Sequence, residues 1–163
     1  MMPTMLSLSQ SVGYAVRALA CMESGICETS YTRSIAECCG VPPAYLAKIF
    51  KRLVDAELLQ SKRGWAGGTK LARPPESISL YEIAAALEGE DFLKGCLLGE
   101  DICSDERACP THFFWKVERA RIEKELKSQT LAAVIEFEKT RLCRNSSACA
   151  ESPTPPSNGE NVS

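Results

Sequence analysis

Apolar residues recur at the three- and four-residue spacing of an amphipathic helix in several stretches of the chain. The first runs from Ser9, a candidate N-cap, to about Met22. The second, TRSIAECC, has Thr32 or Ser30 as its candidate cap, and it ends at Gly40, a residue typical of helix C-termini. The third, VPPAYLAKIFKRLVDAELL, opens with prolines that suit a first helical turn.

The third helix has two faces of different character. Its apolar face consists of Leu46, Ile49, Phe50, Leu53 and Val54. Its opposite face presents Ala44, Ala47, Lys48, Lys51 and Arg52. A short helix, a glycine turn and a second helix with a basic outer face predict a helix-turn-helix.

The segment after this helix predicts a β-hairpin. LLQSKR favours a strand, GWAGG a turn and TKLA a returning strand. GWAGGTK could instead form a nucleotide-phosphate loop, but that motif requires Gly-Lys-Ser/Thr in this order and a helix after it. We therefore interpret the hairpin as the wing of a winged helix, with Arg63 and Trp65 at its tip.

A fourth helix is predicted from Ser79 to about Glu88, and a long helix follows later, with Cys109 as its N-cap and Pro110 in its first turn. One stripe of the long helix carries Trp115, Ile122, Leu126, Ala133 and Phe137, and the roughly opposite side carries Phe113, Val117, Leu131 and Ile135. Two apolar sides predict a helix between its own domain and a second subunit, hence a homodimer, although a buried core helix would show the same pattern. The polar KSQT could break this helix, with Ser128 as a cap.

These elements predict a mainly α fold with a small β-hairpin wing. We expect a winged helix-turn-helix DNA-binding domain at 5–90, a cysteine-rich loop at 91–112, a long dimerisation helix at 110–142 and a disordered polar tail at 144–163. No apolar run approaches the roughly 20 residues that cross a bilayer. Arg17 interrupts the most apolar part of the N-terminal stretch, so we expect no signal peptide and a cytoplasmic protein.

The net charge of −2 conceals a local excess of basic residues. From Pro43 to Arg73 seven basic side chains stand against two acidic ones, a balance of +5 that leaves −7 for the remainder. A DNA-binding surface on an acidic protein would give this asymmetry, and so would a solvated lysine face.

Nine cysteines form three groups. Those in or beside apolar helical stretches are expected to be buried thiols that pack as small hydrophobes: Cys21, Cys27, Cys38 and Cys39. Cys143 and Cys149 flank the polar tail. The closely spaced group is Cys96, Cys103 and Cys109, and His112, the sole histidine, follows three residues later. A Cys3His set suits an iron–sulfur cluster or tetrahedral zinc, and the spacing alone leaves both open.

Residues from about Leu8 to Val134 resemble the Rrf-two family of bacterial winged-helix regulators, which includes IscR-like and NsrR-like repressors. The matching stretches are LSQSVGYAVRAL, VPPAYLAKIFKRLVDAELL, SKRGWAGGTKLARPPESISLYEI and ALEG before the first cysteine. The resemblance implies that Cys96, Cys103, Cys109 and His112 are cluster ligands. A [2Fe–2S] cluster is then the favoured cofactor, with [4Fe–4S] or zinc as alternatives, and some members sense by thiol chemistry or a small ligand.

Two departures from the family pattern qualify the cofactor. Six residues separate Cys96 from Cys103, where five are commoner, although a loop tolerates one more residue. NsrR-like members can use an aspartate from the first helix of the partner subunit, but the aligned residue here is Gly13, so that ligand arrangement is unsupported.

The function predicted from the sequence is a dimeric DNA-binding transcriptional regulator, a repressor by its resemblance to the family, that binds a pseudo-palindromic operator. Its operator binding is expected to be controlled by an iron–sulfur cluster that senses iron or cluster status, redox state or nitric oxide. A regulator of the same fold could instead use zinc or thiol chemistry without a cluster. Residues expected to contact DNA are Pro43, Ala44, Tyr45, Ala47, Lys48, Lys51, Arg52, Lys62, Arg63, Gly64 and Trp65. A zinc-binding interaction module is the alternative. The chain has no CxxC pair, nucleotide loop or catalytic constellation, so we predict that it is not an enzyme.

Overall fold

The computed structural model describes residues 8–25, 30–62, 68–99 and 102–145. Within these ranges the chain is mostly helical, with one two-stranded antiparallel sheet, which confirms the predicted fold class. The elements in order are α1 Gln10–Glu23, α2 Thr32–Cys39, α3 Pro43–Asp55, β1 Leu59–Lys62, β2 Gly68–Leu71, α4 Leu80–Glu88, α5 His112–Ser128 and α6 Leu131–Asn145. Short 3₁₀ turns lie at Pro75–Ser77 and Asp105–Arg107.

The core lies where α1, α2, α3, α4 and the first turns of α6 meet. Its fully buried large side chains are Val12, Leu19, Ile35, Leu46, Leu53, Leu59, Ile78, Ile83 and Leu131. The apolar face predicted for α3 is confirmed, since Leu46, Ile49, Phe50 and Leu53 are buried and Val54 is partly buried. The last helix therefore completes the same core that the first helices build.

The junction between α2 and α3 has the predicted glycine. Gly40 adopts a left-handed φ of +65°, and its N–H donates to carbonyls at the end of α2. Glycine takes this conformation without the steric cost of a Cβ, so the chain can turn directly into α3. The predicted cap of α2 is wrong: Tyr31 occupies the N-cap position, without a side-chain hydrogen bond, and Thr32 is the first helical residue.

The predicted wing strands pair as expected. Leu59 lies opposite Leu71 and Lys62 opposite Gly68 in an antiparallel register. The start of β2 also contacts the segment before α2, because the N–H of Thr69 donates to the carbonyl of Ser30 at 2.8 Å. The strand β2 after the glycine-rich turn also agrees with the rejection of a nucleotide loop, which would need a helix there.

Helix α4 begins with the capping pair expected at Ser79. The Ser79 hydroxyl accepts from the N–H of Glu82, while the Glu82 carboxylate accepts from the Ser79 N–H. Partial burial raises the pKa of Glu82, but hydrogen bonds from Ser79 and Arg73 outweigh it and hold this pKa below its usual range. The cap is thus a charged one, and it fixes where α4 starts.

Three details predicted for the long helix are wrong. It begins at His112 with Thr111 as N-cap, because the N–H of His112 closes a turn onto the carbonyl of Cys109 at 2.9 Å. A break at Gln129–Thr130 divides α5 from α6, so the stripe predicted from Trp115 to Phe137 is not continuous. The predicted break within KSQT is confirmed, but its predicted cap is wrong: Ser128 ends α5, and the Thr130 hydroxyl accepts from the N–H of Ala133 as a cap does.

The break between α5 and α6 is held against the start of α4. The N–H of Leu80 donates to the carbonyl of Gln129 at 2.9 Å, and the N–H of Leu131 donates to the carbonyl of Ile78 at 2.8 Å. These two bonds form an isolated antiparallel bridge between Ser79 and Thr130.

Within the described residues, no helix has both the length and the apolar character that crossing a membrane requires.

Candidate functional site

The outer face of α3 carries the residues predicted to contact DNA, and all of them are exposed. They are Pro43, Ala44, Tyr45, Ala47, Lys48, Lys51 and Arg52, with the exposed Lys62 at the end of β1. Within the described ranges, no carboxylate forms an ion pair with these four basic side chains. The predicted wing-tip residues Arg63, Gly64 and Trp65 lie outside the described residues.

The N-terminus of α1 braces the start of α3, a feature that the sequence analysis missed. The hydroxyls of Ser11 and Tyr45 are 2.6 Å apart, and the Tyr45 ring packs edge-on against Tyr14 with 5.8 Å between ring centroids. Gln10 in turn donates to the Tyr14 hydroxyl at 2.8 Å. The available signal was the i,i+4 spacing of Gln10 and Tyr14 on the first turn of α1.

His112 is buried, with 2% of its surface exposed, and both ring nitrogens have a neighbour. Its Nδ1 lies 3.2 Å from Sγ of Cys103, and its Nε2 lies 2.8 Å from Oδ1 of Asp105. The first helical position of α5 therefore points its imidazole back into the cysteine loop.

Cys109 and Cys96 form a second pair in the same loop. The Thr111 hydroxyl lies 3.2 Å from Sγ of Cys109, and the Cys96 thiol also hydrogen-bonds to Cys109. Hydrogen bonds from the Thr111 hydroxyl and N–H, and then from Cys96, hold the pKa of the Cys109 thiol below its usual range. A lowered thiol pKa favours the thiolate, which is the form that binds metals.

The four predicted ligands thus come together as two pairs rather than as one closed set. Cys103 contacts His112, and Cys96 contacts Cys109. Across the described part of the chain, no three His, Cys, Asp or Glu side chains are close enough to hold one metal ion.

The base of the cysteine loop is attached to α5. A bridge joins Gly95 to Ile102, and the N–H of Cys103 donates to the carbonyl of Lys94 at 3.0 Å. The buried Trp115 donates from Nε1 to the carbonyl of Gly95 at 2.7 Å. The loop therefore has fixed ends, and its cysteines are held near the start of the helix.

Asp105 is a functional candidate that sequence reasoning missed. Besides His112, it contacts Lys116, whose Nζ lies 2.8 Å and 2.9 Å from the two carboxylate oxygens. The Lys116 ammonium, and then the His112 ring, hold the pKa of Asp105 below its usual range. No spacing rule pairs an aspartate with a histidine seven residues later, so this contact could not be predicted from the order of residues alone.

Several large apolar side chains on α5 and α6 face away from the core. Phe113, Phe114, Val117 and Phe137 are each more than 60% exposed. Trp115 and Ile135 on the same two helices are buried. Both helices thus have a buried and an exposed apolar side, but the predicted division between the two sides is wrong on α6, where Leu131 and Ile135 are buried and Phe137 is exposed. The break between α5 and α6 separates the two predicted stripes.

The remaining cysteines differ from their predicted burial in one case. Cys21 and Cys39 are buried, but Cys38 is exposed at the end of α2, with its Sγ 3.2 Å from that of Cys21. The expected burial of Cys38 is wrong because it lies on the outer side of α2, whereas Ile35 and Cys39 face the core. Cys27 and Cys149, and the side chain of Cys143, lie outside the described residues.

Comparisons with known proteins agree with this architecture. The family model Rrf2, described as an iron-dependent transcriptional regulator, matches residues 8–137. An HTH-type transcriptional regulator of Aquifex aeolicus is 27% identical over 136 residues, which cover 82% of this chain and 94% of that protein. The HTH-type transcriptional regulator IscR of Sodalis glossinidius is 32% identical over 104 residues, which cover 64% of this chain and 62% of that protein.

A solved structure, T. potens IscR, superposes with a TM-score of 0.65 at 28% identity, covering 83% of this chain and 90% of that one. The family match spans the helix-turn-helix, the wing strands, the cysteine loop and α5 in one continuous alignment. The chain belongs to the Rrf2 family, written Rrf-two above, of winged-helix transcriptional regulators.

Proposed function

We propose that this regulator is a homodimeric repressor whose operator binding is controlled by an iron–sulfur cluster. The observation that carries the proposal is the placement of three thiols and the sole histidine, as two contacting pairs, in one loop beside α5. Cys103 lies against His112, and Cys96 lies against Cys109. The relatives named IscR and the iron-dependent description of the family support the same cofactor class.

The three cysteines and the histidine fit an iron–sulfur cluster in their chemistry and in the distance between two of them. Thiolates bind iron–sulfur clusters, and histidine replaces cysteine where a higher potential is wanted. Two ligands of one ion lie within about 4.4 Å of each other, given metal–sulfur and metal–nitrogen bonds of about 2.3 Å and 2.1 Å. The 3.2 Å between Cys103 Sγ and His112 Nδ1 lies inside that limit.

The ligands proposed for the cluster are Cys96, Cys103, Cys109 and His112, with [2Fe–2S] favoured and [4Fe–4S] or zinc as alternatives. When bound, an iron–sulfur cluster supplies a one-electron couple and a centre that reacts with oxidants or nitric oxide. The protein contributes the half-buried loop, the lowered thiol pKa of Cys109 and the buried imidazole. The two contacting pairs would then be two halves of one ligand set.

For DNA recognition, we propose that α3 enters the major groove. Pro43, Ala44, Tyr45 and Ala47, in its N-terminal half, would face base edges. The basic residues Lys48, Lys51, Arg52 and Lys62 would bind phosphates, which position the protein but carry little sequence information.

The wing completes the proposed contact. Gly64 would let its backbone lie close to a phosphate, and Arg63 and Trp65 would project from its tip. Arg63 would enter the minor groove, where arginine favours narrow, electronegative sequence. Arg63→Ala is expected to weaken operator binding and reduce its salt dependence. Unchanged binding over a series of salt concentrations would exclude this role.

The proposed dimer uses the exposed apolar surface of α5 and α6, formed by Phe113, Phe114, Val117 and Phe137. Phe113, Phe114 and Val117 lie within five residues at the start of α5, and an exposed apolar patch of this kind is typical of an interface. Two winged domains related by a two-fold axis would read a pseudo-palindromic operator.

The loop is placed where it could couple the cluster to the DNA-reading domain. His112 begins α5, and the far end of α5 is hydrogen-bonded to the start of α4 through Gln129 and Leu80. A signal can shift the regulator only by its different affinity for two arrangements of these elements. Cluster assembly, oxidation or nitrosylation that reorders the loop would change the start of α5, and with it the spacing of the two winged domains.

The test begins with anaerobic purification, a visible spectrum and iron, sulfide and zinc analysis. Cys103→Ala and the control Cys38→Ala, an exposed thiol outside the loop, are carried in parallel. We expect a brown wild type and control, and a colourless Cys103→Ala with native circular dichroism. DNA sites are then selected from a random pool with the cluster-loaded and cluster-free proteins, since the two forms should differ in affinity. Equal affinity in both forms would contradict control by the cluster.

A colourless wild type after reconstitution with iron and sulfide would favour the second candidate. That candidate is a regulator of the same fold that uses zinc or thiol chemistry, and the lowered pKa of Cys109 supports it. Stoichiometric zinc without selected DNA sites would instead indicate a zinc-binding interaction module.

A further inference from the structure

The contacts of His112 differ on the two sides of its ring. On one side, Nε2 lies 2.8 Å from Oδ1 of Asp105. On the other, Nδ1 lies 3.2 Å from Sγ of Cys103. A neutral imidazole has one N–H and one lone pair, and an ionised carboxylate can only accept a hydrogen bond. The proton therefore belongs on Nε2, and the lone pair of Nδ1 points toward the cysteine sulfur.

Asp105 is itself fixed by a second contact. The ammonium group of Lys116, one turn after His112 on α5, lies within 2.9 Å of both carboxylate oxygens. The 3₁₀ turn Asp105–Arg107 brings the carboxylate to this position between the second and third cysteines. Lys116 of α5 thus holds the Asp105 carboxylate beside the His112 ring.

We propose that Asp105 is a positioning residue for the metal group: it accepts the Nε2–H of His112, and so leaves Nδ1 as the nitrogen that binds metal beside the Cys103 thiolate. This inference rests on the proposed cluster and adds the atom that binds and the residue that orients it. Carboxylates that hydrogen-bond a ligating histidine commonly fix its tautomer and strengthen it as a ligand.

The role is separable from folding because Asp105 is on the surface. Its side chain is 71% exposed, and the buried core does not include it. Asp105→Ala removes the acceptor, whereas Asp105→Asn keeps an oxygen that can accept the same N–H. Glu106→Gln is the matched control, since it removes one negative charge from the neighbouring exposed position.

The experiment uses the full chain, reconstituted anaerobically with iron and sulfide, for the wild type and the three variants. Loss of the cluster's visible absorption is followed in excess EDTA. We expect loss about 10–100 times faster for Asp105→Ala, because removing an outer partner of a ligand has that effect on metal affinity. Asp105→Asn should be intermediate, and Glu106→Gln should match the wild type. Circular dichroism of all three variants, and thermal melting of their cluster-free forms, should match the wild type.

A second readout identifies the binding nitrogen. Because His112 is the only histidine, histidine labelled with ¹⁵N at one ring position reports this residue alone. Pulsed electron paramagnetic resonance of the reduced protein should show the strong coupling from the label at Nδ1 and a weak one from Nε2. Strong coupling from Nε2, or EDTA kinetics of Asp105→Ala equal to those of the wild type, would overturn the inference and leave the cluster in place. A wild type that takes up no iron and sulfide would overturn both the inference and the proposed cluster.

Discussion

Replacing Gly68 with alanine should destabilise the protein at the start of β2, because the strand there passes too close to Ser30 to leave room for a side chain. A Cβ at position 68 would lie 2.3 Å from Oγ of Ser30, 3.0 Å from its Cβ and 3.3 Å from its carbonyl oxygen. The φ of Gly68, +157°, is also one that residues with a Cβ rarely adopt. Two separate costs therefore act at one position.

The magnitude follows from these two costs. Overpacking a tight contact typically costs about 1–3 kcal/mol, and an unfavourable backbone conformation about 1 kcal/mol. Gly68→Ala should then lower the free energy of unfolding by about 2–4 kcal/mol. Ser30→Ala removes the nearest atom, the hydroxyl oxygen, but leaves the Cβ contact and the backbone cost, so it should recover only about half of the loss.

The assay is a double-mutant cycle in urea, followed by circular dichroism, on the wild type, the two single variants and the double variant. All four are measured at one protein concentration, because the stability of the proposed dimer would depend on concentration. Ser30→Ala alone should change the stability by no more than about 0.5 kcal/mol. A stability of Gly68→Ala within about 0.5 kcal/mol of the wild type, or effects of the two substitutions that simply add, would refute the close approach.

Three further predictions test other parts of the molecule. Leu131→Ala should lower the free energy of unfolding by about 2–5 kcal/mol because Leu131 is fully buried in the core. The control Lys139→Ala, on the exposed side of α6, should lower it by no more than about 0.5 kcal/mol. Equal urea midpoints for the two variants would contradict this placement of α6. Lys51→Ala should reduce the slope of log affinity against log salt by about 1.8, two phosphate contacts per dimer at about 0.9 each, in fluorescence anisotropy on duplex DNA; an unchanged slope would remove Lys51 from the phosphate contacts. Because the pKa of Glu82 is lowered in the folded protein, its ionised carboxylate stabilises the fold at pH values above the usual glutamate pKa, and this stabilisation is lost as the pH falls through the lower folded pKa. Glu82→Gln should therefore destabilise the protein more near neutral pH than in strong acid. Equal losses of melting temperature at both pH values would be the contrary result.

Local sequence signals were sufficient where one residue has one conformational role. Gly40 could be placed because only glycine turns so readily there, and the apolar face of α3 because its spacing repeats without interruption. Ser79 could be placed as a cap because Glu82 stands three residues later. In these segments the local preference and the tertiary structure agree.

Elsewhere the sequence left two local outcomes open, and contacts made at a distance decided between them. Pro110 suits both a turn and a first helical turn, and the bond from His112 to Cys109 selects the turn. Thr130 rather than Ser128 caps α6 because the chain pairs there with Ser79, about 50 residues earlier. The same limit applies to the site: the four proposed ligands could be singled out from the sequence, whereas the contact of Asp105 with His112 depends on a 3₁₀ turn that no sequence spacing predicts.

The participation of α6 in the core has a consequence for biosynthesis. Leu131 and Ile135 pack with α1, yet the ribosome makes them roughly 50 residues after α4, an interval of about 2–10 s at ordinary elongation rates. During this interval the nascent helices α1 to α4 hold an apolar surface with nothing to cover it. A truncated product that stops in the cysteine loop would share that exposed surface and become a substrate for chaperones and proteases. Only chains translated beyond the cysteine loop as far as Leu131 and Ile135 can close the core.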